Sequence, residues 1–204
     1  MKKTFTLIFT ALLLHSVHAQ TLETGIDLLR KEKFEQAKKE LLAVQVNDKT
    51  NIAAFYLGNT YIRTGNTDSA RIFFNIASTG NKTFSNLALA RIALMDKKDS
   101  MTVNPYIEKA ISESRKKDAE IFFQAGYLGY ETSLVSDSRH IAYINRAIEM
   151  SPNAYYIMTL GDYYKDLKKL GNAMTEYENA HRADPNNVQV NLRVGSTMYS
   201  AAVP

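Results

Sequence analysis

Residues Ala154–Asn187 read AYYIMTLGDYYKDLKKLGNAMTEYENAHRADPNN, and their spacing decides the fold. Ile157, Leu160 and Tyr164 recur at helical intervals on one side of a first helix, while Tyr177 and Ala180 give a second helix a facing stripe. Two helices that cross closely need small residues where they touch, and Gly161 with Ala173 supplies that pair. Asp184 and Pro185 then stop the second helix, because proline lacks an amide donor and biases its predecessor away from helical angles. The stretch predicts an antiparallel helix hairpin.

The small pair recurs at the same separation as Gly25 with Ala37 and Gly58 with Ala70. The second of these units also carries Leu57, Tyr61, Gly65, Phe74 and Ala77, with Lys82 in place of the terminal proline. The first keeps Leu28, Leu41 and Val44, but Thr21 and Thr24 stand where large apolar residues are expected, as suits an end unit with one solvated face. Between these units and the last, helical periods from Phe84 to Met95, Val103 to Ser114, Ala119 to Leu134 and His140 to Met150 predict two divergent hairpins with open boundaries. Asn104 before Pro105 reads as a helix cap followed by proline in the first turn, and Ser151 before Pro152 repeats it. Asp96–Ser100 and Ser136–Ser138 read as polar connectors, the second displacing the repeat spacing by a residue or two.

These motifs resemble the tetratricopeptide-repeat family, from about Thr21 to Tyr199. The resemblance implies an all-α fold, a right-handed superhelical solenoid of antiparallel helix hairpins. About five repeats plus a final helix are expected, with the first helix of each hairpin lining the inner surface. It also implies a chain that holds a protein or peptide partner. In the final helix, Asn187 to Tyr199, Val194 and Gly195 repeat Leu160 and Gly161, so this helix is either a cap or the opening of a further unit.

Lys2 and Lys3 precede an apolar run from Phe5 to Leu14, and Val17, His18 and Ala19 offer a cut ahead of Gln20. This resembles a bacterial secretory signal peptide over residues 1–19, leaving a solenoid over 20–204 and a periplasmic or envelope-associated product. The run is shorter than the roughly 20 apolar residues that span a bilayer. Loss of Lys2 and Lys3 would lower the net charge from +4 to +2, and no run of five like charges gives the footprint expected for nucleic acid. With no cysteine, the fold must rest on packing alone.

Nothing in the sequence points to catalysis, a cofactor or a metal. His140 and His181 lack metal-ligand spacing and read as solvated or helix-terminal residues. Asp162 and Asp166, beside Lys165 and Lys169, read as a solvated ion-pair face rather than an acid–base pair. Asn81–Thr83 has the form of a glycosylation acceptor, a match common by chance.

The helical period carries Phe55, Asn59 and Ile62 of the second unit, Phe123, Tyr127 and Tyr130 of the fourth, Tyr155, Met158 and Asp162 of the fifth and Tyr199 of the final helix onto the inner surface. They form the expected partner-binding site, although any one ring could equally pack between helices. Some family members clamp a terminal carboxylate there. Asn59 and Arg193 fit that pattern, but Leu22, Phe55, Met158 and Leu192 stand where its lysine is needed, so the activity does not carry over. Two other functions are open: the N-terminal arm of a larger envelope-assembly protein, and an exported hydrolase.

Overall fold

Glycine is required where the paired helices cross. A Cβ on Gly25 would lie 2.6 Å from the Leu41 side chain, on Gly58 2.5 Å from Phe74, and on Gly161 2.6 Å from Tyr177. Each partner lies sixteen residues further along. The contact is therefore glycine against a large side chain, with Ala37, Ala70 and Ala173 fully buried one turn earlier on the same face.

The computed structural model describes residues 21–131 and 138–202, which form eleven helices and, among the described residues, no strand. They are α1 (Leu22–Arg30), α2 (Phe34–Gln45), α3 (Ile52–Arg63), α4 (Thr67–Ala77), α5 (Lys82–Met95), α6 (Ser100–Glu113), α7 (Ala119–Glu131), α8 (Ser138–Met150), α9 (Ala154–Asp166), α10 (Leu170–Ala183) and α11 (Val188–Ala202). The expected leader at 1–19, Gln20, most of the 136–138 connector and Pro204 lie outside the described residues. Consecutive helices pair as hairpins, and each second helix also packs on the next first helix. The result is an all-helical hairpin solenoid, with the first helices α1, α3, α5, α7, α9 and α11 neighbouring one another in turn as an inner layer. No helix among the described residues is long and apolar enough to cross a membrane.

Each first helix of a complete hairpin ends five residues past its crossing point, which sets the register of the divergent units. In the third, Ala90 takes the glycine place and Val103 the alanine place, both fully buried. In the fourth, Gly126 meets Ile144, eighteen residues on, so the connector adds two residues to the repeat. His140 then falls where the other hairpins put alanine. It is buried, not solvated as its sequence position suggested, because Gly129 leaves room for it: a Cβ there would fall on the imidazole ring.

Four of the hairpin turns share one backbone device. Gly65, Glu32, Lys97 and Lys168 each lie seven residues past the crossing and all have positive φ, +78°, +57°, +55° and +60°. Glycine adopts this conformation freely, whereas a residue with a Cβ does so at a cost of about 1–2 kcal/mol.

Capping corrects two start signals. Asp99, not Asn104, caps α6 by accepting from the Thr102 amide at 3.0 Å, which puts Pro105 inside the helix and leaves the Met101 carbonyl without its helical donor. Asn153, not Ser151, caps α9 through the Tyr156 amide at 3.0 Å, with Pro152 outside. Asn81 spends its side-chain oxygen on the amides of Thr83 and Phe84 as the cap of α5. Pro185 follows the Asp184 cap that ends α10, as its motif position requires.

Two substitutions in one hairpin separate crossing from propensity. Gly161→Ala should lower stability by about 1–3 kcal/mol, since the Tyr177 ring it meets is fully buried. Gly171→Ala, in the first turn of α10 with open space around it, should raise stability by up to about 1 kcal/mol. Urea denaturation of the two variants checks both signs.

Candidate functional site

The carboxylate of Glu120, in the first turn of α7, accepts four hydrogen bonds from the inner layer. Oε1 takes the Tyr56 hydroxyl at 2.6 Å and Gln124 Nε2 at 2.8 Å, and Oε2 takes Arg30 Nη2 at 2.6 Å and the Tyr156 hydroxyl at 2.6 Å. These donors come from α3, α7, α1 and α9, so one side chain joins the first, second, fourth and fifth hairpins. The Arg30 guanidinium lies over the rings of Tyr155 and Tyr156, 5.7 and 5.4 Å from their centroids. Phe123 stacks on Tyr156 at 4.4 Å.

A second joint is built from the α1–α2 turn. Glu32 Oε1 accepts from Arg63 Nη2 at 2.9 Å and from Arg193 Nη2 of α11 at 3.1 Å. Arg193 also donates from Nε to Asp162 at 3.1 Å, and Asp162 accepts the Tyr177 hydroxyl at 2.7 Å. Arg63 donates its other nitrogen to the Tyr127 hydroxyl at 3.1 Å. The first hairpin therefore meets the last helix. Lys31 and Lys33 share a cavity of about 330 Å³ with residues 184 and 186–189 at that seam. The solenoid curls until its ends touch.

Packing between neighbouring helices covers part of the expected partner surface. Phe55 is fully buried among Tyr56, Phe74 and Phe84, and Phe123 is covered by Tyr127, Tyr155 and Tyr156. Asn59 is buried with its amide 3.5 Å from Gln124, and Ile62 is half-buried against the core. Phe55, Phe123 and Asn59 therefore present almost no surface to a partner, while Ile62 keeps some. Tyr199 is exposed on α11, away from the groove cavities. Asp162 pairs with Arg193 across the groove rather than with the lysines of its own helix.

Tyr127, Tyr130, Tyr155, Met158 and Asp162 are brought together. With Asp166 they border an open cavity of about 360 Å³ between α7, α9 and α11. A second lobe of about 430 Å³ shares Tyr130, Asp162, Asp166 and Arg193 and extends to Lys165, Leu192 and Ser196. Sequence reasoning missed Arg30, Glu32 and Arg63 as groove residues. A signal for two of them was present: Arg30 and Arg63 both end their first helix five residues past the glycine, where the later units carry Glu131 and Asp166.

The sequence profile of the tetratricopeptide repeat matches residues 154–187, the hairpin α9–α10 whose register the other units share. The chain contains a tetratricopeptide repeat. No curated protein matches it by sequence. Among solved structures it is similar to a tetratricopeptide-repeat protein from Parabacteroides merdae, at 17% identity over 93% of this chain and 75% of that one, with a TM-score of 0.58. A thermophilic member from Thermus thermophilus matches at 18% identity over 87% and 97%, TM-score 0.54. The pilF protein of Pseudomonas aeruginosa matches at 20% identity over 76% and 70%, TM-score 0.53. At these identities the likeness is one of fold. Proteins of this family are generally non-catalytic scaffolds for protein or peptide partners.

The electrostatics of this tetratricopeptide array belong to its joints. Burial raises the hydroxyl pKa of Tyr56 and Tyr156 well above the ordinary value, and the Glu120 carboxylate that accepts their hydrogen bonds raises it further. Burial likewise lifts Tyr177, helped by Asp162. Burial opposes the Arg30 cation, but Glu120 and the surrounding tyrosines outweigh it and hold that pKa above its usual value. Among the described residues, no group of three or more His, Asp or Glu is placed to hold a metal.

Removing the Glu120 carboxylate with Glu120→Ala should cost about 3 kcal/mol, the low end for breaking a buried pair because both side chains keep some solvent contact. Asp27→Ala, which breaks only the exposed pair with Lys31, should cost at most about 1 kcal/mol by the same denaturation assay. A folded pKa raised above the unfolded value gives stability that is complete below the unfolded pKa and lost as pH climbs through the folded one. The hydroxyl bonds to Glu120 should therefore stabilise fully below about pH 10 and progressively less above it. Ultraviolet titration should show Tyr56, Tyr156 and Tyr177 ionising later than ordinary tyrosines, and Tyr156→Phe should flatten the alkaline fall in stability.

Proposed function

We propose that this chain is a non-catalytic scaffold of the bacterial cell envelope that binds a protein or peptide in the C-terminal half of its inner groove. The observation that carries this reading is the uneven filling of the groove. Its N-terminal half is occupied by the chain's own Arg30, Phe55, Asn59 and Phe123, whereas the two lobes beside α9 and α11 stay open. Their combined lining of tyrosine rings, one methionine, carboxylates and exposed Leu192 suits a short segment anchored by apolar contact and oriented by polar groups. The carboxylates of both joints, Glu120, Glu32 and Asp162, are spent on guanidinium and hydroxyl partners, an arrangement that fixes helices. Export is supported by the leader-like run that begins at Lys2 and Lys3, with the mature solenoid starting at Gln20.

A photo-crosslinking residue at Ser196, on the lip of the outer lobe, should trap a partner in cells, and the same residue at exposed Glu178 on α10 should not. Equal trapping at both positions, or loss at neither when Tyr130→Ala is added, would refute the groove. N-terminal sequencing of the envelope fraction should return Gln20 as the first residue.

A further inference from the structure

Along the inner groove the chain seats three of its own guanidinium groups in one recurring setting, a carboxylate on one side and a tyrosine on the other. Arg30 lies between Glu120 and the rings of Tyr155 and Tyr156. Arg63 bridges Glu32 and the Tyr127 hydroxyl. Arg193 bridges Glu32 and Asp162, close enough to Tyr130 to oppose the rise in that hydroxyl's pKa caused by burial and the neighbouring aspartates.

The next carboxylate in this series is Asp166, one turn beyond Asp162 on α9. It has a tyrosine beside it, since Tyr130 and Asp166 together border both open lobes. It is exposed, and among the described residues no cation is ion-paired with it. The cavity beside it, about 360 Å³, falls in the range of pockets that take small ligands. Resting on the peptide-binding reading above, we propose that Asp166 and Tyr130 receive the guanidinium of an arginine from the partner segment, completing a fourth rung of the same ladder.

The chemistry favours arginine over lysine. A planar fork can give N–H bonds to the Asp166 carboxylate while its face lies on the Tyr130 ring, much as Arg30 donates one N–H to Glu120 while lying over the Tyr156 ring; an ammonium offers a point charge without the stacking surface. Lys165 lines only the outer lobe, so a second basic side chain placed there meets repulsion. The site therefore suits one arginine flanked by neutral or acidic residues.

The test is selection of a random dodecapeptide display library on the intact protein and, in parallel, on Asp166→Asn, an exposed position where the fold tolerates the change. The expected result is arginine enriched at one position on the wild type and not on the variant. A synthetic copy of the enriched peptide should bind about tenfold more weakly when that arginine is replaced by citrulline, and wild-type binding should weaken with rising salt. Arginine enriched equally on both proteins overturns the assignment to Asp166. Enriched peptides that lack arginine, and lose binding on Tyr130→Ala, overturn this inference while leaving the peptide-binding groove intact. No enrichment on either protein overturns both.

Discussion

Four hydrogen bonds to one carboxylate set the curvature of this molecule. A stack of hairpins joined only to its neighbours has no reason to stop bending at any particular angle. Glu120 supplies one, because its donors lie on inner helices from hairpins at opposite ends of the array. With both oxygens saturated, the charge is tolerated in a groove where only a fraction of its surface meets water. The Arg193 bridge to Glu32 and Asp162 then fixes the last helix against the first turn.

That second joint depends on an awkward backbone. In the second hairpin the corresponding turn position is Gly65, which adopts the left-handed conformation without strain, whereas the first hairpin holds Glu32 there. The strain keeps a carboxylate on a tight turn aimed at Arg63 and Arg193. Strained non-glycine residues commonly persist where the surroundings over-determine them, and here the two arginines do so.

The helical class and the hairpin pairing were legible because Gly25, Gly58 and Gly161 each stand twelve residues before an alanine, and local packing depends on local spacing; that each glycine meets a large side chain one turn further on came from the structure. Where a compensating change intervened, the reading weakened. His140 looked solvated because the space for it comes from Gly129, on the other helix of its hairpin. The inner surface was legible as a set of positions but not as an open surface. Helical period carries Phe55 and Phe123 inward, where rings of their own and the next hairpin cover them, yet it says nothing of how far the stack bends, and it is the bend that brings Arg30 onto Glu120.

The bond between Arg30 and Glu120 spans 90 residues, and that between Glu32 and Arg193 spans 161. A ribosome delivers the chain from its N-terminus, so the leading hairpins emerge long before the acids and tyrosines that will receive Arg30. Until α7 and α9 follow, that guanidinium faces water. The two joints can close only once their distant partners have been made.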